Sequence, residues 1–221
     1  MDALKWMKAN YYYIPGRHWI LRTVAEKGHL DVLQYFVLEW SCQLSPGVAA
    51  TAASVGNLEM LKWVLASGCQ MEASTPRNAA SNGHLDCLRL AAEHGATMDD
   101  KVASNAGEAA RALHLRANPA LTPDLAASYQ HWQCLRFAVE NGADVDASVG
   151  RAAARHGQLE LLQWLRAEKA CPIDETTTRS AAAGGNLELV KWLRGEGCPW
   201  NEDTARSAAE AGHFELLRYG E

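Results

Sequence analysis

Apolar and polar positions along this chain recur as a phrase. In Gly185-Asn186-Leu187-Glu188-Leu189-Val190-Lys191-Trp192 and the following Leu193, the residues Leu187, Leu189, Val190 and Leu193 form an apolar stripe at helical spacing, with Glu188 and Lys191 on the solvent side. Gly56-Asn57-Leu58-Glu59-Met60-Leu61-Lys62-Trp63 repeats the same types in the same order. Ahead of the phrase lies an alanine-rich stretch, Ala181-Ala182, which lets a neighbouring helix approach closely, and Gly184-Gly185 breaks it. Each unit is therefore predicted to be a first helix, a glycine turn and a second, amphipathic helix. Asp174 or a following Thr caps the first helix of one unit. Ser45-Pro46, Thr75-Pro76 and Thr122-Pro123 start others with a capping hydroxyl and a proline at the first helical position, where its missing N–H costs nothing. Leu187 is expected to be fully buried.

The phrase opens at Gly28, Gly56, Gly83, Gln130, Gly157, Gly185 and Gly212, in steps of 28, 27, 47, 27, 28 and 27 residues. A fixed period of this size means one small unit stacked on copies of itself, with each copy touching only its neighbours. The expectation is an all-α solenoid of stacked helix-turn-helix units, a single array over 1–221 of about seven to eight units. A shortened copy, Asp2-Ala3-Leu4-Lys5-Trp6, makes the N-terminal unit truncated, and Tyr11-Tyr12-Tyr13 closes the first interface. The 47-residue step exceeds a normal one by 20 residues, too few for a further unit. Residues 101–121 are expected either as a decayed unit with two abbreviated helices (101–107 and 109–116, stopped by Asn118-Pro119) or as a helical excursion from the stack.

The Ala-Ala-x-x-Gly-His/Asn-Leu-Glu/Asp segments (Ala52 to Glu59, Ala79 to Asp86, Ala208 to Glu215) and the stretch Gly142-Ala143-Asp144-Val145-Asp146 resemble the ankyrin repeat family over nearly the whole chain. Two departures stand out. The family period is about 33 residues, and the stretch missing here corresponds to the protruding β-hairpin finger, so the resemblance implies short loops in its place. The family's Thr-Pro-Leu-His start is also absent, its His position being held by Arg22, Arg77, Arg151, Arg179 and Arg206. His29, His84 and His213 match the family's turn histidine, for which the resemblance implies a backbone hydrogen bond.

Composition narrows the functional classes. The formal net charge of −5 argues against broad binding to nucleic acid and gives no attraction to anionic lipid. No run approaches the roughly 20 apolar residues of a membrane span, and Met1-Asp2-Ala3-Leu4-Lys5-Trp6 lacks the basic and apolar regions of a secretory signal. A soluble cytoplasmic protein is expected, with the nucleus as the alternative. Cys42, Cys69, Cys171 and Cys198 share one register position, where stacked helices about 8–10 Å apart exceed the disulfide limit of about 7 Å. Cys87 and Cys134 fall in the apolar stripe of the second helix. No pair has C-x-x-C spacing, so free thiols are expected and no metal or cofactor.

No H-E-x-x-H, G-x-S-x-G, P-loop or dinucleotide-binding glycine motif is present, and a thin helical stack offers a shallow groove instead of a water-excluding pocket. The acid and base three residues apart in the second helix (Glu59/Lys62, Asp86/Arg89, Glu188/Lys191, Glu215/Arg218) read as a solvated outer face. The aromatic column Trp6, Tyr35, Trp63, Phe137, Trp164, Trp192 and Tyr219 reads as packing between units.

The expected function is a non-catalytic scaffold or adaptor that binds another protein on a concave face of first helices and short loops, acting as a monomer, with no nucleic acid or membrane partner. A substrate receptor for a ubiquitin-ligase-type complex is one alternative, although the chain shows no recognisable recruiting box; a hydrolase built around 101–121 is another. Carried over from the resemblance, the binding face takes in Glu26, Lys27, Ser54, Ser81, Asn82, Arg155, His156, Glu175, Glu202 and Glu210. The arginine column, with Arg77, Arg151, Arg179 and Arg206, is either a ladder paired with Asp146, Asp174 and Asp203 or a basic stripe for an acidic partner. Trp200, after Cys198-Pro199, is either a binding aromatic or a cover for the edge of the stack.

Overall fold

The computed structural model describes residues 17–116 and 122–220, and among these all regular structure is helical, in fourteen helices. Asp2 to Trp6 and Tyr11 to Tyr13 lie outside the described residues. The chain divides into two compact units, 1–97 and 98–221. The first contains α1 (Arg17–Glu26), α2 (Leu30–Trp40), α3 (Pro46–Ser54), α4 (Leu58–Ala66), α5 (Ser74–Ser81) and α6 (Leu85–Glu93). The second contains α7 (Asp100–Arg116), α8 (Thr122–Glu140), α9 (Ala147–Arg155), α10 (Leu159–Lys169), α11 (Glu175–Ala183), α12 (Leu187–Gly195), α13 (Glu202–Glu210) and α14 (Phe214–Gly220).

Within each unit the pattern is one of helical hairpins stacked side by side. Odd-numbered inner helices pack on the next inner helix, α1 on α3 and α3 on α5, then α7 on α9, α9 on α11 and α11 on α13. Each inner helix also packs on the outer helix that follows it. Alanine makes the inner contact possible. Ala49, Ala52 and Ala53 in α3, Ala79 and Ala80 in α5, Ala181 and Ala182 in α11 and Ala208 in α13 are fully buried, so adjacent backbones approach with only methyl groups between them. Outer helices supply larger side chains: Met60, Leu61 and Val64 in α4, and Leu189, Val190 and Leu193 in α12, are buried. Leu187 is only half-buried, contrary to the sequence expectation, because as the first residue of α12 it sits at the mouth of the turn and not in the stripe beneath it.

The turn between inner and outer helix needs a left-handed backbone, which glycine supplies: φ is +72° at Gly56 and +76° at Gly185. The residue immediately after the next repeat's turn glycine covers each of them. A Cβ added at Gly56 would lie 2.5 Å from the His84 ring, and one at Gly185 would lie 2.6 Å from the His213 ring. Asn186 fills the same place on Gly157 and donates from Nδ2 to the carbonyl oxygens of Ala154 and Arg155 at 3.5 and 3.4 Å. Turn histidines and asparagines thus seat one hairpin on its predecessor.

The irregular step is one enlarged hairpin. Residues 28 after Gly83 and 27 before Gly157 should be turn glycines, but they are Arg111 and Gln130. Neither takes a left-handed conformation cheaply, and both helices run on past these positions. Helices of seventeen and nineteen residues replace the usual nine, and they pack on each other. The two short helices expected at 101–107 and 109–116 are therefore one continuous α7. Gly107 does not interrupt it, since one glycine in a helix interior costs only about 1 kcal/mol; residues 117–121 lie outside the described ones.

Caps follow the sequence in part. Asp174 accepts from the backbone N–H groups of Thr176 and Thr177 at 2.9 and 3.0 Å, within a capping box. Asp146, Asn57 and Asn201 cap α9, α4 and α13 in the same way. Ser45 stands at the N-cap with Pro46 behind it, yet makes no side-chain cap bond. Thr75 does not cap either: α5 begins at Ser74, which places Thr75 inside the first turn and fully buried. The loops that follow outer helices, such as 196–201, contain no strand.

Candidate functional site

In the unit 98–221, α7, α9 and α11 line up their inner faces and leave a depression of about 210 Å³ among them. Its floor holds Gly107 and Ala152, whose small size makes the hollow, and its rim carries Arg151, Arg155, Arg179 and Glu108. Arg151 and Arg155 stand four residues apart on α9, hence on one face of that helix, and Arg179 enters from α11. Arg151 is half-buried, whereas Arg155 and Arg179 are exposed. No carboxylate among the described residues lies within ion-pair distance of these three guanidinium groups.

Of the three serine hydroxyls lining the hollow, those of Ser148 and Ser180 are already engaged as donors. Ser148 donates to the Asp146 carboxylate at 2.5 Å, and Ser180 donates to the Thr176 carbonyl at 2.8 Å. The Ser148 hydroxyl is the main reason that the Asp146 carboxyl is held below its usual range, with burial opposing it, the N–H groups of Val149 and Ser148 assisting, and Arg151 contributing least. Guanidinium N–H groups, together with the hydroxyl of Ser104, are thus donors open to a ligand, and the surface favours an anion.

The other sequence candidates are placed elsewhere. Arg206, exposed on α13, is neutralised by its own helix, at 3.0 Å from Asp203 and 3.3 Å from Glu202. The arginine column therefore divides: Arg206 is a rung paired with acids, while Arg151 and Arg179 are not. Arg77 belongs to the unit 1–97, half-buried on α5. Glu175 accepts from Asn201 Nδ2 at 3.3 Å, a contact between successive repeats. Glu202 and Glu210 are exposed on α13 and give that end of the inner face an acidic ridge. His156 closes α9 with its ring 6.0 Å from that of Trp132 on α8, a packing position. Trp200 is half-buried against Gly220 at the end of α14. Sequence reasoning missed Glu108 and Gly107, whose register the long hairpin disguises.

The outer face carries the expected short ion pairs, Glu59 with Lys62 at 2.9 Å and Glu188 with Lys191 at 2.8 Å, both exposed. The aromatic column joins successive outer helices: the Arg136 guanidinium lies 5.2 Å from the Trp164 ring centre, and that of Arg194 lies 5.1 Å from Tyr219. Thiols of the cysteine column reach back one repeat, Cys69 to the Ser45 carbonyl at 3.4 Å and Cys171 to the Asp146 carbonyl at 3.9 Å. Burial pushes Cys171 and Cys87 up to about 11, so neither is a thiolate at neutral pH. Among the described residues, no group of three or more His, Cys, Asp or Glu could hold a metal ion, and no helix is long and apolar enough to cross a membrane.

Stacked two-helix repeats with glycine turns define a helical repeat protein. Residues 124–166 match the family model for ankyrin repeats in many copies. The fold is similar to that of the human ASB11 ankyrin repeat domain, with a TM-score of 0.65 at 18% sequence identity over 91% of this chain and 97% of that one. No curated protein matches the chain. Residues 124–166 are thus similar in sequence to ankyrin repeats, and the chain shares their fold. Ankyrin repeats are protein–protein interaction modules, and their fold is typically non-catalytic.

Proposed function

We propose that this chain is a non-catalytic recognition module whose partner protein docks on the inner-helix face of residues 98–221, with Arg151, Arg155 and Arg179 as the charged grip. The observation that supports it most is the convergence of these three arginines, from two helices, on one hollow whose rim has no ion pair to spend them on. A guanidinium kept unpaired at a surface is free for bidentate contact with a partner carboxylate or phosphate. The hydrolase alternative fares worse: the hollow touches the 101–121 segment, but no histidine lines it to activate the Ser104 hydroxyl, and those of Ser148 and Ser180 already donate elsewhere. A ubiquitin-ligase-type receptor would use the same inner face.

Photo-crosslinking tests the face. A photoreactive residue replacing Ser180 should capture a partner from the source cell, and one replacing Lys191 on the outer wall should not. The capture should disappear when Arg151 and Arg179 are both changed to Ala. Equal labelling from both positions, or capture indifferent to the arginines, overturns the proposal.

A further inference from the structure

Charge and size in the hollow say more about what enters it. Arg151, Arg155, Arg179 and Glu108 all line it, which leaves two positive charges in excess. One carboxylate would balance half of that; a phosphomonoester, at about −1.5 to −2 near neutral pH, balances it all. The donors also match, since guanidinium forks fit phosphate oxygens in pairs. A volume of about 210 Å³ admits one such group together with the side chain that carries it.

The surroundings restrict the source of the phosphate. The next inner helix, α13, exposes Glu202, Asp203 and Glu210, and its single arginine is already neutralised by the first two. A nucleic acid or an anionic lipid surface, with its regular succession of phosphates, would meet repulsion along that ridge. A protein segment bearing one phosphate avoids it. Gly107 gives an independent pointer. It lies in the interior of α7, where glycine is a poor helix former, and a Cβ added there would meet nothing within 4 Å. Packing does not require this glycine, yet its missing side chain keeps the floor of the hollow open.

We infer that Arg151, Arg155 and Arg179, over a floor made by Gly107, form a phosphate-binding pocket that recognises a phosphorylated serine or threonine in the partner segment. This rests on the inner-face reading above and specifies its ligand.

Fluorescence anisotropy on the full chain tests the pocket. The probes are a labelled heptapeptide, Gly-Ala-Ala-phosphoserine-Ala-Ala-Gly, its serine and glutamate counterparts, inorganic phosphate as competitor, and vesicles with and without anionic lipid. The phosphopeptide should bind at least about tenfold more tightly than the glutamate peptide, and inorganic phosphate should compete. Arg151→Gln, Arg179→Gln and Gly107→Met should each weaken it at least fivefold with the circular dichroism spectrum unchanged. Glu108→Gln should tighten it, because the removed charge opposes the ligand. The pocket is overturned if the three peptides bind alike, if Glu108→Gln weakens binding, or if anionic vesicles bind in place of the phosphopeptide. Should the crosslinked partner still depend on Arg151 and Arg179 in that case, the docking face stands and only its phosphate specificity fails.

Discussion

Asp174 shows how one side chain sets a helix start. Its carboxylate takes a hydroxyl from Thr176 and backbone N–H groups from Thr176 and Thr177, and these hold it below the usual carboxylate range, the Thr176 hydroxyl first, with a burial effect opposing. A carboxyl whose folded value is depressed contributes stability above its unfolded value, about 3.9, and loses it as pH falls through the folded value. Asp174→Ala should cost about 1 kcal/mol near neutral pH, the ordinary worth of an N-cap. In urea titrations the gap between variant and wild type should shrink as pH falls below about 4. A gap of unchanged size at the acid end would mean that the cap is not an ionised one. Asp174 was readable from sequence as a cap because its neighbours are threonines ahead of an alanine-rich helix. Thr75 was not: the Ser-Thr-Pro run offers two hydroxyls, and the helix starts on Ser74, which buries the second.

Glycines at the scale of the helix divide into those that packing demands and those it does not. Gly184 ends α11 in an ordinary right-handed conformation, yet a Cβ there would run into the Arg155 carbonyl oxygen of the preceding inner helix. That obstacle is backbone and cannot rotate away. Gly184→Ala should cost about 1–3 kcal/mol as an overpacking change, whereas Gly107→Ala, in the open interior of α7, should gain up to about 1 kcal/mol. Thermal melts of the two variants should therefore move in opposite directions, and movement in the same direction would refute the packing difference. The same distinction explains what the sequence concealed. A glycine before Asn, His or Gln marks every regular turn, so those helix pairs were legible. In the long hairpin, Gly107 resembled such a break, while the informative positions were the two that lack glycine, Arg111 and Gln130. A missing turn residue is a weaker signal than a present one, and the Asn118-Pro119 stop suggested two short helices where the backbone makes the two arms of one.

For the molecule as a whole, register alone picked out Arg151, Arg155 and Arg179, because the period puts them in one column of inner-face positions. Their convergence with Glu108 was not readable, since it depends on α7 standing as a full inner helix beside α9. The pairing of Arg206 was within reach: acids three and four residues before an arginine on a helix lie on its face. Stacked repeats also make stability a sum of local terms and nearest-neighbour contacts, and this bears on the outer-helix leucines. Leu193 is fully buried in α12, whereas Leu187 is half-buried at the turn. Leu193→Ala should cost about 2–5 kcal/mol, and Leu187→Ala clearly less, since only part of its side chain leaves water on folding. Hydrogen exchange can show where that loss is felt. With nearest-neighbour coupling, protection in Leu193→Ala should fall most in α11 and α12, next in the flanking hairpins α9–α10 and α13–α14, and least in α7. A uniform loss from α7 to α14 would instead mean that residues 98–221 unfold as a single cooperative core, and the stacked-hairpin account of their stability would have to be given up.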